Sequence, residues 1–138
     1  MSRADRITQA RTQPVIFSDL DISMEPHPLS GDLSLVTNSA DVVQSCRTLI
    51  RTRKGSRFYR SDIGCDVERS LFEPNDAVSR DDLVYSIRTT IDQYEPRAQL
   101  VSVTATSPND NSMEVTIVIA IRNTQQLATI TEVFKRVR

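Results

Sequence analysis

The stretch SMEVTIVIAI, residues 112–121, decides how the rest of the chain is read. Met113, Val115, Ile117, Ile119 and Ile121 fall at every second position, which places them on one face of a long strand. The other face carries Glu114, Thr116 and Arg122, with Val118 and Ala120 between them, so it reads as partly covered. Immediately upstream, Val101, Val103 and Ala105 alternate with Ser102, Thr104 and Thr106. SPNDN at 107–111 supplies turn residues between the two runs, and the pattern predicts an antiparallel hairpin. After Asn123 and Thr124 a third strand is expected from about Leu127 to Val137, with its outer side as a sheet edge.

Working upstream, the period changes. Leu83, Ile87 and Ile91 are four apart, with Val84 and Tyr94 widening the stripe. This predicts a helix from about Arg80 to Tyr94, opened by the capping-box spacing of Ser79 and Asp82. It stops at YEPR, residues 94–97, because Pro96 disfavours helical geometry at Glu95. Glu95 then lies at the helix end where negative charge is unfavourable, and Arg97 stands beyond the stop.

An earlier helix is predicted from about Ser39 to Arg53. Val42, Val43, Cys46, Leu49 and Ile50 form its apolar stripe, Asn38 and Asp41 its start, and Gly55 its stop. The connection 55–78 is long for so small a domain, and Leu71-Phe72 reads as a short helical turn before Pro74. Residues 1–36 show no sustained period and contain Pro14, Pro26, Pro28 and Gly31, so they read as an extended N-terminal arm. The fold class is therefore α+β: two helices on one face of a three-stranded antiparallel sheet, with the arm at 1–36 and a single domain at 37–138.

At 138 residues with a formal net charge of −1, the chain is not a uniformly basic nucleic-acid binder. The start MSRADRITQARTQP lacks an apolar core, which predicts no signal peptide, and the longest apolar run is too short to span a bilayer. His27, Cys46 and Cys65 make no zinc spacing, and Gly31, Gly55 and Gly64 form no phosphate loop. No metal or cofactor is expected. Asp66, Glu68, Glu73 and Glu95 are acids that a glycoside hydrolase could use, but no pattern fixes a pair.

Charge is asymmetric. Arg47, Arg51, Arg53, Lys54, Arg57 and Arg60 occur between 46 and 61 without an acid, and seven acids follow between 62 and 82. Solvated faces pairing with each other, nucleic-acid contact through Arg57 and Arg60 with Phe58 and Tyr59, and docking into a protein assembly all fit this pattern.

TRKGSRFYRSDIGCD (52–66), LFE (71–73) and YEPR (94–97) together resemble the small baseplate wedge proteins of T-even-type contractile-tailed phages. That family is often labelled tail lysozyme and has a counterpart in type VI secretion baseplates. FSDLD (17–21), HPLSGD (27–32) and FKRVR (134–138) fit the same resemblance. It implies a virion structural protein, not an enzyme, which assembles in the host cytoplasm and resides in the tail baseplate. The implied partners are the helical core bundle of the wedge scaffold proteins, sheath subunits joined by strand addition on Leu127–Val137, and tail tube or hub proteins, with no membrane and no nucleic acid. The implied partner-binding residues are Glu95, Pro96 and Arg97, with Arg53, Lys54, Gly55 and Arg57 in the loop. The corner is expected to be exposed, with a partner satisfying Glu95. The runner-up is a peptidoglycan-degrading tail lysozyme.

Overall fold

The computed structural model describes residues 14–109 and 111–135. Two short strands, β1 (Ser18–Leu20) and β2 (Leu35–Thr37), precede helix α1 (Ser39–Arg51). Helices α2 (Val67–Phe72) and α3 (Ala77–Tyr94) follow, then strands β3 (Ala98–Asn109), β4 (Ser112–Ile121) and β5 (Leu127–Lys135). The main sheet is antiparallel in the order β3-β4-β5, and β1 and β2 form a separate ribbon.

β4 is the centre of the fold, as its alternation predicts. Met113, Val115, Ile117, Ile119 and Ile121 are all buried. They meet Val42, Cys46 and Ile50 of α1, and Leu83, Ile87 and Ile91 of α3, in one apolar cluster. A sheet with one apolar face needs such a layer over it, and the two helices supply it. The reverse face of β4 is half-buried between its two neighbours, and no helix covers it among the described residues.

β3 departs from the simple alternation. Leu100 pairs with Ile119, whereas Ser102 pairs with Val118, so Val101 is the extra residue of a bulge. The inward set is therefore Ala98, Leu100, Val103 and Ala105, and Val101, expected inside, is exposed. A second irregularity lies between Thr106 and Asn109, so the strands extend further into SPNDN than expected, with Asn109 opposite Ser112. Asp110 of that turn, and the expected strand end at 136–137, fall outside the described residues.

The helix ends also differ. α3 begins three residues early because Asp76, not Ser79, is its cap. The Asp76 carboxylate accepts a 2.8 Å hydrogen bond from the Ser79 amide. α1 ends at Arg51 with Thr52 as its C-cap, which leaves Gly55 in the following loop. Asn38 is the N-cap residue of α1, with Asp41 in the first turn, as expected, but its side chain makes no cap hydrogen bond. Its side-chain oxygen accepts from the amides of Ile16 (2.8 Å) and Phe17, and its amide nitrogen donates to the Pro14 carbonyl (3.2 Å). Asn38 thus clamps the arm. Gln44 adds a second tie, donating to the Leu20 carbonyl at 2.8 Å and accepting from the Ile22 amide.

Candidate partner-docking site

The YEPR corner is built inward. Glu95 is only 3% exposed, although Pro96 beside it is exposed. Arg97 grips Glu95 with a two-pronged contact, Nε to Oε1 at 2.7 Å and Nη2 to Oε2 at 2.9 Å. Its third nitrogen, Nη1, reaches Asp41 Oδ2 on α1 at 3.0 Å. The Ser45 hydroxyl donates to Glu95 Oε2, and the guanidinium lies 5.2 Å from the centre of the Phe17 ring. One side chain thus joins the end of α3, the start of α1 and the N-terminal arm.

This overturns the expectation of an exposed corner whose acid waits for a partner. The unfavourable end charge on α3 is neutralised within the chain, two residues away. Burial alone would raise the Glu95 pKa. The hydrogen bonds from Arg97 and Ser45 and the charge of Arg97 outweigh it, and the net shift is downward. The same contacts hold the Arg97 pKa above its usual value, Glu95 being the largest cause.

A second buried acid, Glu132 on β5, has the same arrangement. It is 6% exposed and receives Arg47 Nε at 2.6 Å and Arg51 Nη2 at 2.7 Å. Two of the six cations in the basic segment are therefore consumed by the fold. Arg53 lies 3.6 Å from Glu68, and Arg60 lies 3.9 Å from Asp62, both at exposed positions where such pairs contribute little. Arg57 makes no ion pair among the described residues.

Arg57 belongs to a loop held firmly at its base. Gly64 has φ +129°, and a β-carbon there would sit 2.5 Å from the Thr52 carbonyl oxygen. That closeness lets the Cys65 amide reach Thr52 O (2.8 Å) and Thr90 Oγ1 reach Gly64 O (3.1 Å). Tyr94 donates to both the Asp62 carbonyl and its carboxylate at 3.0 Å. Gly55, at φ +84°, turns the chain in open space and donates to the Ser61 carbonyl at 2.8 Å. The tip is bare: Phe58 is 92% exposed, Tyr59 is fully exposed, and Tyr59 has φ +66°. The tip thus holds adjacent aromatics in water, one of them in a disfavoured backbone conformation.

The structure divides the residues expected to bind partners. Arg57 lines a cleft with Leu20, Met24, Ser45 and Tyr94, between the arm and the corner. Arg53 and Lys54 line a different cleft with Glu68, Arg69 and Phe72 of α2. Sequence reasoning missed Asp41, Ser45 and Glu132. The first two have a signal: positions 41 and 45 are one helical turn apart, on the side of α1 that must meet the α3 corner.

The sequence pattern of the family described as baseplate wedge protein gp25 matches residues 36–126. The chain belongs to this family. The match takes in the glycine-arginine loop, LFE and YEPR, and stops one residue short of β5. Within the family, baseplate wedge protein gp25 of Enterobacteria phage T4 is 29% identical over 107 residues, 78% of each chain. Three solved structures share the gp25-like fold. A Geobacter sulfurreducens protein described as a candidate tail lysozyme superposes with a TM-score of 0.67 at 24% identity, over 76% of this chain and 98% of that one. A chain of the anti-feeding prophage baseplate gives 0.62 at 21% identity, covering 88% and 87%. One from the post-contraction pyocin R2 baseplate gives 0.55 at 17%, covering 86% and 98%.

Proposed function

We propose that this chain is a structural wedge component of a contractile-tail baseplate, resident in the assembled tail after assembly in the host cytoplasm. It docks on the helical scaffold of the wedge through the Arg57–Arg60 loop tip and the outer side of the Pro96-Arg97 corner. Arg53, Lys54 and the Gly55 turn extend that surface toward α2. It accepts a strand from a sheath subunit on β5. In this reading Glu95 acts from inside: it fixes the guanidinium of Arg97, whose side chain is 32% exposed.

The observation that carries the reading is the state of the two sheet edges. β3 is protected by its bulges and by Pro108. β5 pairs with β4 over nine residues in unbroken register, from Leu127 opposite Ala120 to Lys135 opposite Ser112. Its outer side has no strand partner among the described residues. A regular edge of this length offers a row of backbone donors and acceptors to an incoming strand.

A tail lysozyme is the second reading, favoured by the label of the Geobacter relative. Glycoside hydrolysis needs an acid whose pKa is raised and a second carboxylate facing it. Here the buried acids Asp41, Glu95 and Glu132 are all gripped by arginines, and Glu95 is shifted the wrong way for a general acid. The discriminating experiment is recovery of tail partners on the tagged chain from cells expressing the neighbouring tail genes. Wild type is compared with Arg57→Ser/Phe58→Ser/Tyr59→Ser, alongside a peptidoglycan-clearing assay. Loss of scaffold partners at unchanged melting temperature supports docking through the loop. Full recovery by the variant refutes it, and clearing by the wild type that an acid substitution abolishes would establish the enzyme.

A further inference from the structure

One groove beside β5 says what kind of strand fits there. It is lined by Glu132, Val133, Phe134 and Lys135, four consecutive residues of β5. Successive strand residues face opposite sides of a sheet, so a single groove touches all four only if it lies against the strand's open edge. The rest of its lining is Glu68, Leu71 and Phe72 of α2 and Arg51 of α1. Phe72 is 80% exposed, on a helix whose Val67 and Ser70 are buried. Phe134 and Leu71 are half-buried at the margin of the core. Of the charged residues lining it, Glu132 already has two arginine partners, Arg51 is one of those two, and Glu68 lies 3.6 Å from Arg53, while Lys135 stands exposed at the end of the strand.

Resting on the reading of β5 as the acceptor of a partner strand, we infer that the incoming strand presents an apolar side chain to this groove, opposite Phe134 and against Leu71 and Phe72. Backbone pairing on β5 is indifferent to sequence. The α2 wall is what makes the edge selective: an apolar side chain covers Leu71, Phe72 and Phe134 together, whereas the acids of the lining, Glu132 and Glu68, already face arginines. An extended segment is the occupant that fits, since the free hydrogen-bonding groups lie along the same side as the groove. A helix docked there would leave them unpaired.

The test places photoreactive benzoylphenylalanine at Phe72 or at Val133 of the full chain, in cells producing assembled tail particles. The inference expects both probes to react with one neighbouring subunit, within about three residues of each other, as strand spacing dictates. The Phe72 adduct should fall on or beside an apolar residue. Phe72→Asp should lower particle yield at least tenfold and Phe72→Leu should not, with the isolated chains melting alike. Should the Val133 probe capture a strand while the Phe72 probe captures nothing, another protein, the chain's own end or a charged residue, strand addition stands and the groove has no selective role. Should neither probe capture an extended segment, the reading of β5 fails as well.

Discussion

Replacing Arg97 with alanine removes the one cation among the described residues that faces two buried carboxylates, Glu95 and Asp41. Deleting one partner of a buried ion pair costs about 3–5 kcal/mol, because the remaining charge loses its compensation in a poorly solvated place. The contact with Phe17 at 5.2 Å adds about 0.5–1 kcal/mol. A domain of this size loses ~4 °C of melting temperature per kcal/mol, so Arg97→Ala should melt roughly 14–24 °C below wild type at pH 8. The pH dependence separates electrostatics from packing. In the wild type the Glu95 pKa is held below its ordinary 4.5, so its contribution is present above that value and is lost as pH falls through the lowered folded-state pKa. Without Arg97, burial dominates and raises the Glu95 pKa, and protonation then relieves the variant as pH falls from 8 to 5. The gap between variant and wild type should therefore be smaller at pH 5 than at pH 8, measured by calorimetry in matched salt. Adding Glu95→Ala to Arg97→Ala should recover part of the loss, which a double-mutant cycle would show. A deficit under about 4 °C, which is about 1 kcal/mol, would refute this account of the corner. So would a deficit identical at both pH values.

The other predictions concern separate parts of the molecule. Gly64→Ala should cost more than 2 kcal/mol in urea unfolding, an order-of-magnitude estimate from its strained φ and the 2.5 Å approach to Thr52 O, whereas Gly55→Ala, in open space, should cost only about 1 kcal/mol. Glu132→Leu should leave the melting temperature close to wild type, since the arginines it releases, Arg47 and Arg51, are 47% and 62% exposed and return to water, so that no buried charge is left uncompensated. It should nevertheless promote self-association in light scattering, because β5 would lose its inward charge. Cys46, whose pKa burial and then the Glu95 charge push up to about 12, should resist alkylation at pH 8 in the folded chain and react after denaturation.

What the sequence made legible follows the strength of its periods. β4 and the apolar stripes of α1 and α3 were readable because five, three and three inward residues repeat without interruption. Val101 was misplaced because a bulge adds a residue without any change in composition, and only the pairing with β4 reveals it. Asn38 and Ser79 have the residue types of caps. Asn38 keeps the cap position of α1 but gives its side chain to the arm, and Asp76 takes the cap of α3, because side-chain hydrogen bonds are settled by what lies nearby in space. The corner was legible as a motif but not as a mechanism. YEPR shows Glu95 and Arg97 two residues apart, while Asp41 and Ser45 are 56 and 50 residues from their partners. The basic segment overstated the free charge, because Glu132, which absorbs Arg47 and Arg51, is 81 residues from Arg51.

The ribbon of the arm has a mechanical consequence. Ser18 pairs with Thr37 and Leu20 with Leu35, so the chain enters β1 and leaves β2 at the same end. Tension between residue 14 and the body loads those pairs in sequence, as in unzipping, and not all together, as in shear. The Asn38 clamp and the Phe17 ring on Arg97 stand first in line. A pull on the arm is therefore felt at the corner before the ribbon opens. Once it opens, the segment 18–37 lengthens the tether while the β3-β4-β5 sheet carries no load.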